Sequence, residues 1–223
     1  MYLFTKRLFD IISSIIVLLL LLPLFLPIIV ILKFTSEGEV FYKQERIGLY
    51  NKPFMIYKFA TMLKNSSQMP GGHITIKNDP RLTFFGGFLR KSKINELPQL
   101  LNILLGNMSV VGPRPVMRVS FESYPEEIQK IIYDVKPGLT GIGSIIFRDE
   151  EEIITDVKNK GEDIWVFYKN TIYPFKGRLE IWYQNNKSFF LDIKIVFVTA
   201  WVIFSPNSKI YEKWFVSLPK RFF

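Results

Sequence analysis

The chain has 223 residues, of which 48% are hydrophobic and 16% aromatic, and it carries a formal net charge of +9 at pH 7. That length fits one domain, or one domain with an anchor, and allows a sizeable core. The absence of cysteine excludes disulfides and thiolate chemistry, while the excess of cations predicts anionic partners such as acidic lipids, phosphates or nucleic acid. So high an apolar and aromatic content indicates contact with a membrane.

The first predicted element is an apolar helix over residues 11–32, a run of 22 residues without a charge. As a helix it would be about 33 Å long, enough for the hydrocarbon core of a bilayer. Basic residues flank it on both sides, so the charge distribution does not fix an orientation. Pro23 and Pro27 lie inside the run and each removes a backbone hydrogen bond, which predicts a bend. From hydropathy alone, a kinked spanning helix is expected.

Residues 36–61 are predicted to form extended segments at 40–42 and 54–59, joined by a turn at 48–51. Lys58 would lie near the end of the second segment, close to Thr61. The polar stretch that follows, 64–77, is predicted to be a loop. It contains His73, the one histidine of the sequence, to which no role is assigned.

Residues 89–115 combine a basic start, an acidic step before a proline, and a Gly-Pro-Arg-Pro turn. The rigid turn at 112–115 fixes the direction of Arg114, and a guanidinium held in this way suits bidentate binding of a phosphate. Together the three features predict a site for an anionic substrate.

A short helix is predicted between the acidic step and this turn. Ser92 or Asn95 is expected to cap it, and Glu96 is expected in its first turn because acids favour the positive end of a helix dipole. Five leucines between positions 97 and 105 recur at helical spacing and predict one buried face, and Gly106 predicts the helix end. A brief apolar segment follows at 108–111.

The stretch from 58 to 118 contains nine lysines or arginines against two acidic residues, Asp79 and Glu96. This excess of seven positive charges favours a surface that binds phosphates next to a membrane. A nucleic-acid interface is not expected, because the stretch lacks aromatic residues interleaved on a predicted sheet and any nucleic-acid fold signature.

In the second half, a short helix is predicted within 121–133, and the glycine-rich segment 136–144 is suited to bringing backbone amides to a phosphate. Residues 148–152 are predicted to be a solvated acidic helix start, although one of their carboxylates could reach a metal or a sugar. A helix over 188–204 is expected to lie against the membrane or the core, since its uninterrupted apolar run is too short to span. The tail mixes cations with aromatic residues, which is typical of an interfacial anchor or of a disordered end.

A series of short motifs runs along the chain in a fixed order. They are Lys6-Arg7 with Phe9-Asp10, Gln44-Glu45-Arg46-Ile47-Gly48, Tyr57-Lys58-Phe59 with Thr61-Met62, Asn78-Asp79-Pro80-Arg81-Leu82-Thr83, Phe88-Leu89-Arg90-Lys91, Glu96-Leu97-Pro98-Gln99, Gly106, Met108-Ser109, Val111-Gly112-Pro113-Arg114-Pro115 and Lys136-Pro137-Gly138-Leu139-Thr140-Gly141. This order resembles the bacterial sugar transferases, the small monotopic phosphoglycosyl transferases that act on polyprenyl phosphate. The resemblance covers nearly the whole chain.

The resemblance implies an α+β, mainly helical, monotopic membrane protein. Residues 1–34 would form a re-entrant rather than spanning anchor, and 35–223 a cytoplasmic catalytic domain with interfacial C-terminal helices, on the cytoplasmic face of the bacterial inner membrane. The implied reaction transfers a sugar 1-phosphate from a nucleotide diphosphosugar, usually a UDP-sugar, to polyprenyl (undecaprenyl) phosphate, which begins assembly of a surface glycan.

The resemblance also implies the cofactor, the partners and the site. The cofactor is Mg²⁺ or Mn²⁺; the partners are the polyprenyl phosphate lipid, the nucleotide sugar and inner-membrane lipids, without nucleic acid, and a homo-oligomer is left open. Glu96 is the expected metal ligand and forms the catalytic pair with Asn95. The expected substrate-binding residues are Lys58, Arg81, Arg90, Gln99 and Arg114.

Asn95 departs from the family pattern, which has at this position the aspartate that attacks phosphorus. A neutral amide is a far poorer nucleophile than a carboxylate and cannot balance a divalent cation. Three readings are open: Glu96 is the nucleophile or a base that activates the lipid phosphate; Asn95 is deamidated to aspartate; or the chain is a catalytically silent binding protein of the same fold. The otherwise intact motifs favour an active enzyme, in which an intact Asn95 would orient groups by hydrogen bonding.

Overall fold

The computed structural model describes residues 1–69, 79–206 and 208–223 and is mainly helical, as expected. The helices of this described part are α1 (Tyr2–Thr35), α2 (Phe84–Lys91), α3 (Gln99–Leu105), α4 (Arg118–Phe121), α5 (Glu126–Ile131), α6 (Ile142–Ile146), α7 (Glu150–Asn159), α8 (Ile164–Phe167), α9 (Tyr173–Asn186), α10 (Phe189–Phe204) and α11 (Ile210–Trp214). The strands are β1 (Phe41–Ile47), β2 (Pro53–Phe59), β3 (Ser109–Val111) and β4 (Gly138–Thr140). His73, Asn78 and the Pro-Gly-Gly part of the predicted loop lie outside the described residues.

Helix α1 continues without interruption through both of its prolines. It is long and apolar enough to cross a membrane, and only 11% of its apolar window is buried. Both of its ends nevertheless contact the rest of the protein: Lys6 and Asp10 are buried near its start, and Ile28 and Leu32 pack with Phe59 near its end. Exposed apolar side chains therefore lie along the length of the helix, including its middle.

The first turns of α1 hold strand β3 through side-chain hydrogen bonds. The Lys6 ammonium donates to the carbonyl at the end of β3 at 2.9 Å and to the Asp192 carboxylate of α10 at 2.7 Å. The Asp10 carboxylate accepts from the hydroxyl of Ser109 at 3.0 Å and from the amide of Val110 at 2.9 Å. The charged residues before the apolar run thus fix the strand that leads into the Gly-Pro-Arg-Pro turn.

Strands β1 and β2 correspond to the two predicted extended segments and pair as an antiparallel hairpin, with Phe41 opposite Phe59 and Ile47 opposite Pro53. The first strand is longer than predicted. Its turn is confirmed, and it is closed by Tyr50 and Asn51 in the left-handed region. Because opposite residues of a hairpin lie on the same face, Gln44, Arg46 and Lys58 share one face, and the exposed Lys43 and Glu45 lie on the other.

Strands β3 and β4 are parallel and bring the Gly-Pro-Arg-Pro turn next to the glycine-rich segment. Ser109 is opposite Gly138 and Val111 is opposite Thr140. A Cβ atom added at Gly138 would lie 2.1 Å from the amide nitrogen of Gly112, so only glycine permits this approach. The glycines here serve close backbone packing in the structure.

The main core lies between α5, α6, α9 and α10, where Ile142, Ile172, Phe175, Leu179 and Ile195 are fully buried. The short helix predicted within 121–133 is confirmed as α5, and the helix predicted over 188–204 is confirmed as α10. The tail packs on this core, because Arg221 forms an ion pair with Asp149 and the rings of Phe222 and Phe223 contact Phe175.

Candidate active site

The acidic step adopts a different local structure from the predicted helix start. Lys93 is in the left-handed region, a 3-10 turn follows over Ile94–Glu96, and α3 begins only at Gln99. In the described structure no side chain caps α3, and the Ser92 hydroxyl instead donates to the carbonyl of Phe88 at the end of α2. The predictions that Ser92 or Asn95 caps the helix and that Glu96 lies in its first turn are therefore wrong.

The buried face of α3 is also not the leucine stripe that was predicted. Leu101 and Leu105 are exposed, and the buried side includes Gln99 and Asn102. The Asn102 side chain accepts from the backbone amide of Tyr57 at 3.0 Å and donates to a second backbone group of β2 at 2.7 Å. This polar clamp fixes α3 beside the end of β2, where Lys58 lies.

Glu96 lies between two cations that come from separate elements. Its Oε1 accepts from Lys58 Nζ of β2 at 3.0 Å and from Arg114 Nη2 at 2.5 Å, and its Oε2 accepts from Arg114 Nη1 at 3.2 Å. The turn that carries Arg114 is held by Tyr133, whose hydroxyl donates to the Arg114 carbonyl at 2.8 Å and accepts from Val116. Three of the predicted site residues are thus brought together.

These contacts set the charge states of the three groups. Burial raises the pKa of Glu96, but the charges of Arg114 and Lys58 outweigh it and hold that pKa well below its usual range. Burial lowers the pKa of Lys58 to about 8, against the opposing effect of Glu96. The Glu96 charge raises the pKa of Arg114. At neutral pH the site holds an ionised carboxylate between two protonated side chains.

The other three predicted substrate-binding residues, Arg90, Arg81 and Gln99, differ in their surroundings. Burial lowers the pKa of Arg90, while the charges of Glu151 and Glu96 raise it, so its guanidinium lies within the field of the same site. Arg81 forms a buried ion pair with Asp79 at 2.6 Å, which gives it a structural contact in this region. Gln99 is buried at the start of α3, as described above.

Two charged residues of this region were not among the predicted site residues. Arg46 of β1 is partly buried; burial, together with the charge of Arg114, lowers its pKa to about 10, against the opposing charge of Glu96. The sequence signal for Arg46 was its place in the Gln44–Gly48 motif. The register of β1 and β2 was needed to place the residue near Glu96. Glu150 was predicted to be solvated; it instead pairs with Lys176 at 2.6 Å, and its charge raises the pKa of Arg114.

The oxygen donors at Asn95 and Glu96 suit a magnesium ion that is shared with substrate. Within the described residues, no group of three or more His, Cys, Asp or Glu side chains forms a metal cluster by itself. Asn95 Oδ1 is buried and accepts no hydrogen bond from the described part of the chain. Mg²⁺ takes oxygen ligands and is commonly held by one or two carboxylates together with substrate phosphates. An unused amide oxygen beside a carboxylate fits that role.

Comparison with known proteins decides the family. The model of the family described as "Bacterial sugar transferase" matches residues 1–206 of this chain. The chain belongs to the bacterial sugar transferase family. The resemblance inferred from the motifs is confirmed, and with it the expectation that the chain is a phosphoglycosyl transferase.

Named relatives of this sugar transferase include proteins of known and unknown activity. It is 36% identical to the uncharacterized sugar transferase EpsL of Bacillus subtilis, over 87% of this chain and 85% of that protein. It is 34% identical to the undecaprenyl-phosphate galactose phosphotransferase of Salmonella typhimurium, over 90% of this chain and 40% of that protein. It is 36% identical to the UDP-glucose:undecaprenyl-phosphate glucose-1-phosphate transferase of Klebsiella pneumoniae, over 87% of this chain and 39% of that protein.

This sugar transferase therefore spans most of the length of EpsL but less than half of the two phosphotransferases. The names of those two proteins describe transfer of a sugar phosphate to undecaprenyl phosphate. These relatives give no support to the reading of the chain as a silent binding protein.

Proposed function

We propose that this chain transfers a sugar 1-phosphate from a UDP-sugar to undecaprenyl phosphate and so begins assembly of a bacterial surface glycan. The observation that carries the proposal is the Glu96 carboxylate held between Lys58 and Arg114. Family membership supports the reaction class, and the name of the Klebsiella relative supports a UDP-sugar donor and an undecaprenyl phosphate acceptor.

The reaction takes place at the cytoplasmic face of the inner membrane, with α1 as a re-entrant anchor. Support comes from α1 itself, because both of its ends contact the catalytic part of the protein, whereas a spanning helix would carry one end away from it. Its exposed middle, where Leu19, Leu20 and Leu26 lie, enters the lipid. The lipid phosphate is then presented at the headgroup level, next to the water that supplies the nucleotide sugar.

When substrate binds, its phosphate oxygens replace Glu96 as the partners of Arg114 and Lys58. Phosphate oxygens accept charge-assisted hydrogen bonds from guanidinium and ammonium groups as a carboxylate does. The diphosphate of the donor therefore competes for Arg114 and Lys58, and the Glu96 carboxylate is released beside the phosphorus. Unlike the neutral Asn95, it is ionised and fit to attack.

The transfer then consists of two displacements at the phosphorus that carries the sugar. A Glu96 oxygen bonds to this phosphorus, the bond to the bridging oxygen breaks, and UMP leaves with the electron pair. An oxygen of undecaprenyl phosphate next attacks the same phosphorus, and the acyl-phosphate bond breaks, which restores the carboxylate. Arg114 and Lys58 donate to the phosphoryl oxygens as negative charge builds up on them.

Glu96 and Asn95 would hold Mg²⁺, or Mn²⁺, together with the substrate phosphates. When bound, the ion would offset the charge of the diphosphate and assist departure of the nucleoside monophosphate.

The test is release of UMP from a panel of UDP-sugars by purified protein with Mg²⁺ and undecaprenyl phosphate. Lipid-dependent release is expected from the wild type, and Glu96→Gln is expected to reduce it by about a thousandfold or more because the nucleophile is lost. Glu45→Gln, an exposed position on β1, is the matched control and should retain wild-type activity.

The Asn95→Asp variant distinguishes an enzyme from a silent protein. Activity in the wild type, with or without a gain in Asn95→Asp, supports the proposal. Silence of the wild type across the panel, with activity that appears only in Asn95→Asp, would contradict it and favour a binding protein.

A further inference from the structure

Arg46 lies on the same face of the hairpin as Lys58. The register places Arg46 opposite Phe54 and Lys58 opposite Tyr42, and side chains separated by an even number of strand positions share a face. Burial alternates over positions 43–46: Lys43 and Glu45, on the outward face, are exposed, whereas Gln44 and Arg46 are partly buried. The strand therefore directs Arg46 toward the interior of the protein.

The hydrogen bonds of β1 fasten this strand beside the Gly-Pro-Arg-Pro turn. The Ile47 amide donates to the carbonyl of Val116 at 2.9 Å, two residues after Arg114. The Gln44 side-chain amide donates to the sulfur of Met117 at 3.1 Å. Arg46 is thereby held near the same turn that positions Arg114.

The guanidinium of Arg46 is only partly satisfied. Its Nη2 donates to Gln44 Oε1 at 2.5 Å, but its Nε is buried and finds no acceptor in the described parts of the chain. A guanidinium presents its donors in a fixed planar fork that matches the oxygens of a phosphate. An unused donor of this kind at a buried position is complementary to an anion.

The site also carries more positive than negative charge, which likewise favours an anion. Lys58 and Arg114 form ion pairs with one carboxylate, Glu96, whose charge also acts on Arg46, which leaves an excess of two positive charges among these four groups. The neighbouring Glu150 does not remove the excess, since it is already paired with a lysine. Clustered like charges that are partly shielded from water are unfavourable unless a counter-ion is bound, so the arrangement is suited to a ligand with at least two negative charges.

We propose that Arg46 is a substrate-binding residue, which donates through its unpaired Nε and its fork to a phosphate group held by Lys58 and Arg114 beside Glu96. This inference rests on the proposed function in taking a phosphate-bearing substrate as the ligand. The diphosphate of the nucleotide sugar and the phosphate of the lipid share that chemistry, and inorganic pyrophosphate is a probe for it that requires no turnover.

The first experiment is calorimetric titration of the purified full-length protein with pyrophosphate. Arg46→Gln is expected to weaken binding by about tenfold or more, since a hydrogen bond between charged groups is lost. Lys43→Gln is the matched control: it removes the same charge from the outward face of the same strand and should change the affinity less than twofold. Equal affinities of wild type and Arg46→Gln, or no binding by the wild type, would overturn the inference.

Thermal unfolding without ligand separates binding from a structural role. Removing one of several clustered cations should leave the melting temperature of Arg46→Gln unchanged or raise it. A lower melting temperature with unchanged pyrophosphate affinity would assign Arg46 to the structure and overturn the inference. Should Arg46→Gln fail to fold, Arg46→Lys keeps the charge but loses the Nε donor. Weaker pyrophosphate binding by that variant supports the inference, and wild-type binding overturns it.

Two further titrations identify the source of the phosphate. A loss of UDP affinity in Arg46→Gln assigns the residue to the nucleotide diphosphate, and a loss confined to a short-chain polyprenyl phosphate assigns it to the lipid; no loss with either overturns the inference. UMP release by the wild type is scored separately. Release with no binding defect in Arg46→Gln refutes the inference alone, and a binding defect without release from any UDP-sugar refutes the proposed function alone.

Discussion

Two clusters of charged side chains, each centred on one carboxylate, are built in different ways. In the Asp192 cluster, the oxygens of Asp192 accept from the Lys6 ammonium at 2.7 Å and from the hydroxyls of Tyr2 at 2.9 Å and Tyr183 at 2.8 Å. One cation meets one carboxylate, and hydrogen bonds are made to both carboxylate oxygens. This cluster joins α1 to α9 and α10 and is complete without a ligand.

The Glu96 cluster, made of Glu96, Lys58, Arg114 and Arg46, is incomplete. It has three cations for one carboxylate, and at its edges Arg46 Nε and Asn95 Oδ1 find no hydrogen-bond partner within the described residues. A buried polar group without a partner is costly, so it points to a role that a ligand completes. The balance of charge and hydrogen bonding, rather than burial alone, separates a structural ion pair from a site.

The largest effect on stability is expected in the Asp192 cluster. Lys6→Met should lower the free energy of unfolding by about 3–5 kcal/mol, because it leaves the Asp192 carboxylate buried without its cation. Urea denaturation measures this loss. Lys33→Met, at an exposed position of the same helix, is the control and should change it by less than about 0.5 kcal/mol. A loss below about 1 kcal/mol in Lys6→Met would remove the contrast between the clusters.

In the Glu96 cluster the expected effect is on turnover instead. Arg114→Ala should lower kcat/KM by about 10²–10³-fold, the usual cost of one donor to developing negative charge. Stability should change little, because the Arg114 side chain is 45% exposed, and the protein should stay membrane-bound. Arg118→Ala, which removes an exposed arginine four positions away, should retain activity. Wild-type kinetics in Arg114→Ala would count against its role.

The smallest effect is a pH dependence from Lys58, whose pKa burial lowers to about 8. Pyrophosphate affinity should fall severalfold as the pH rises through 8, because the folded protein loses the ammonium. Stability should change in the opposite sense: between pH 8 and the unfolded value near 10.5, the unfolded chain binds more protons, so the contribution of Lys58 to stability rises with pH.

Calorimetry between pH 7 and 9.5 measures the change in affinity. Lys58→Arg keeps the charge over this range and should flatten the profile. A profile that is the same for wild type and Lys58→Arg would assign the pH dependence to another group.

Local patterns were sufficient for the elements that are set by local chemistry. The apolar run gave α1, the turn residues gave the turn between β1 and β2, and the apolar stretch 188–204 gave α10, which the structure shows to be capped by Ser188. The motif order also brought together Lys58, Glu96 and Arg114, because the resemblance already placed them in one site.

The failures came where distant contacts override local preference. The leucines of α3 predicted the wrong buried face, since Asn102 is drawn inward by the backbone of β2. Glu96 is placed by a left-handed Lys93 and a 3-10 turn rather than by a helix cap. Arg46 required the register of the hairpin, and Glu150 required its partner Lys176 on a later helix. None of these long-range pairings is encoded in a short window of sequence.

The most direct test of the account is to identify the covalent adduct that forms when the wild type is incubated with a UDP-sugar and Mg²⁺ without lipid acceptor. Peptide mass spectrometry locates the adduct, and the same experiment on Glu96→Gln is the control. The account predicts a phosphosugar on Glu96 of the wild type and none on the variant. An adduct on residue 95 carrying the mass change of deamidation, or lipid-dependent UMP release without any adduct, would contradict it.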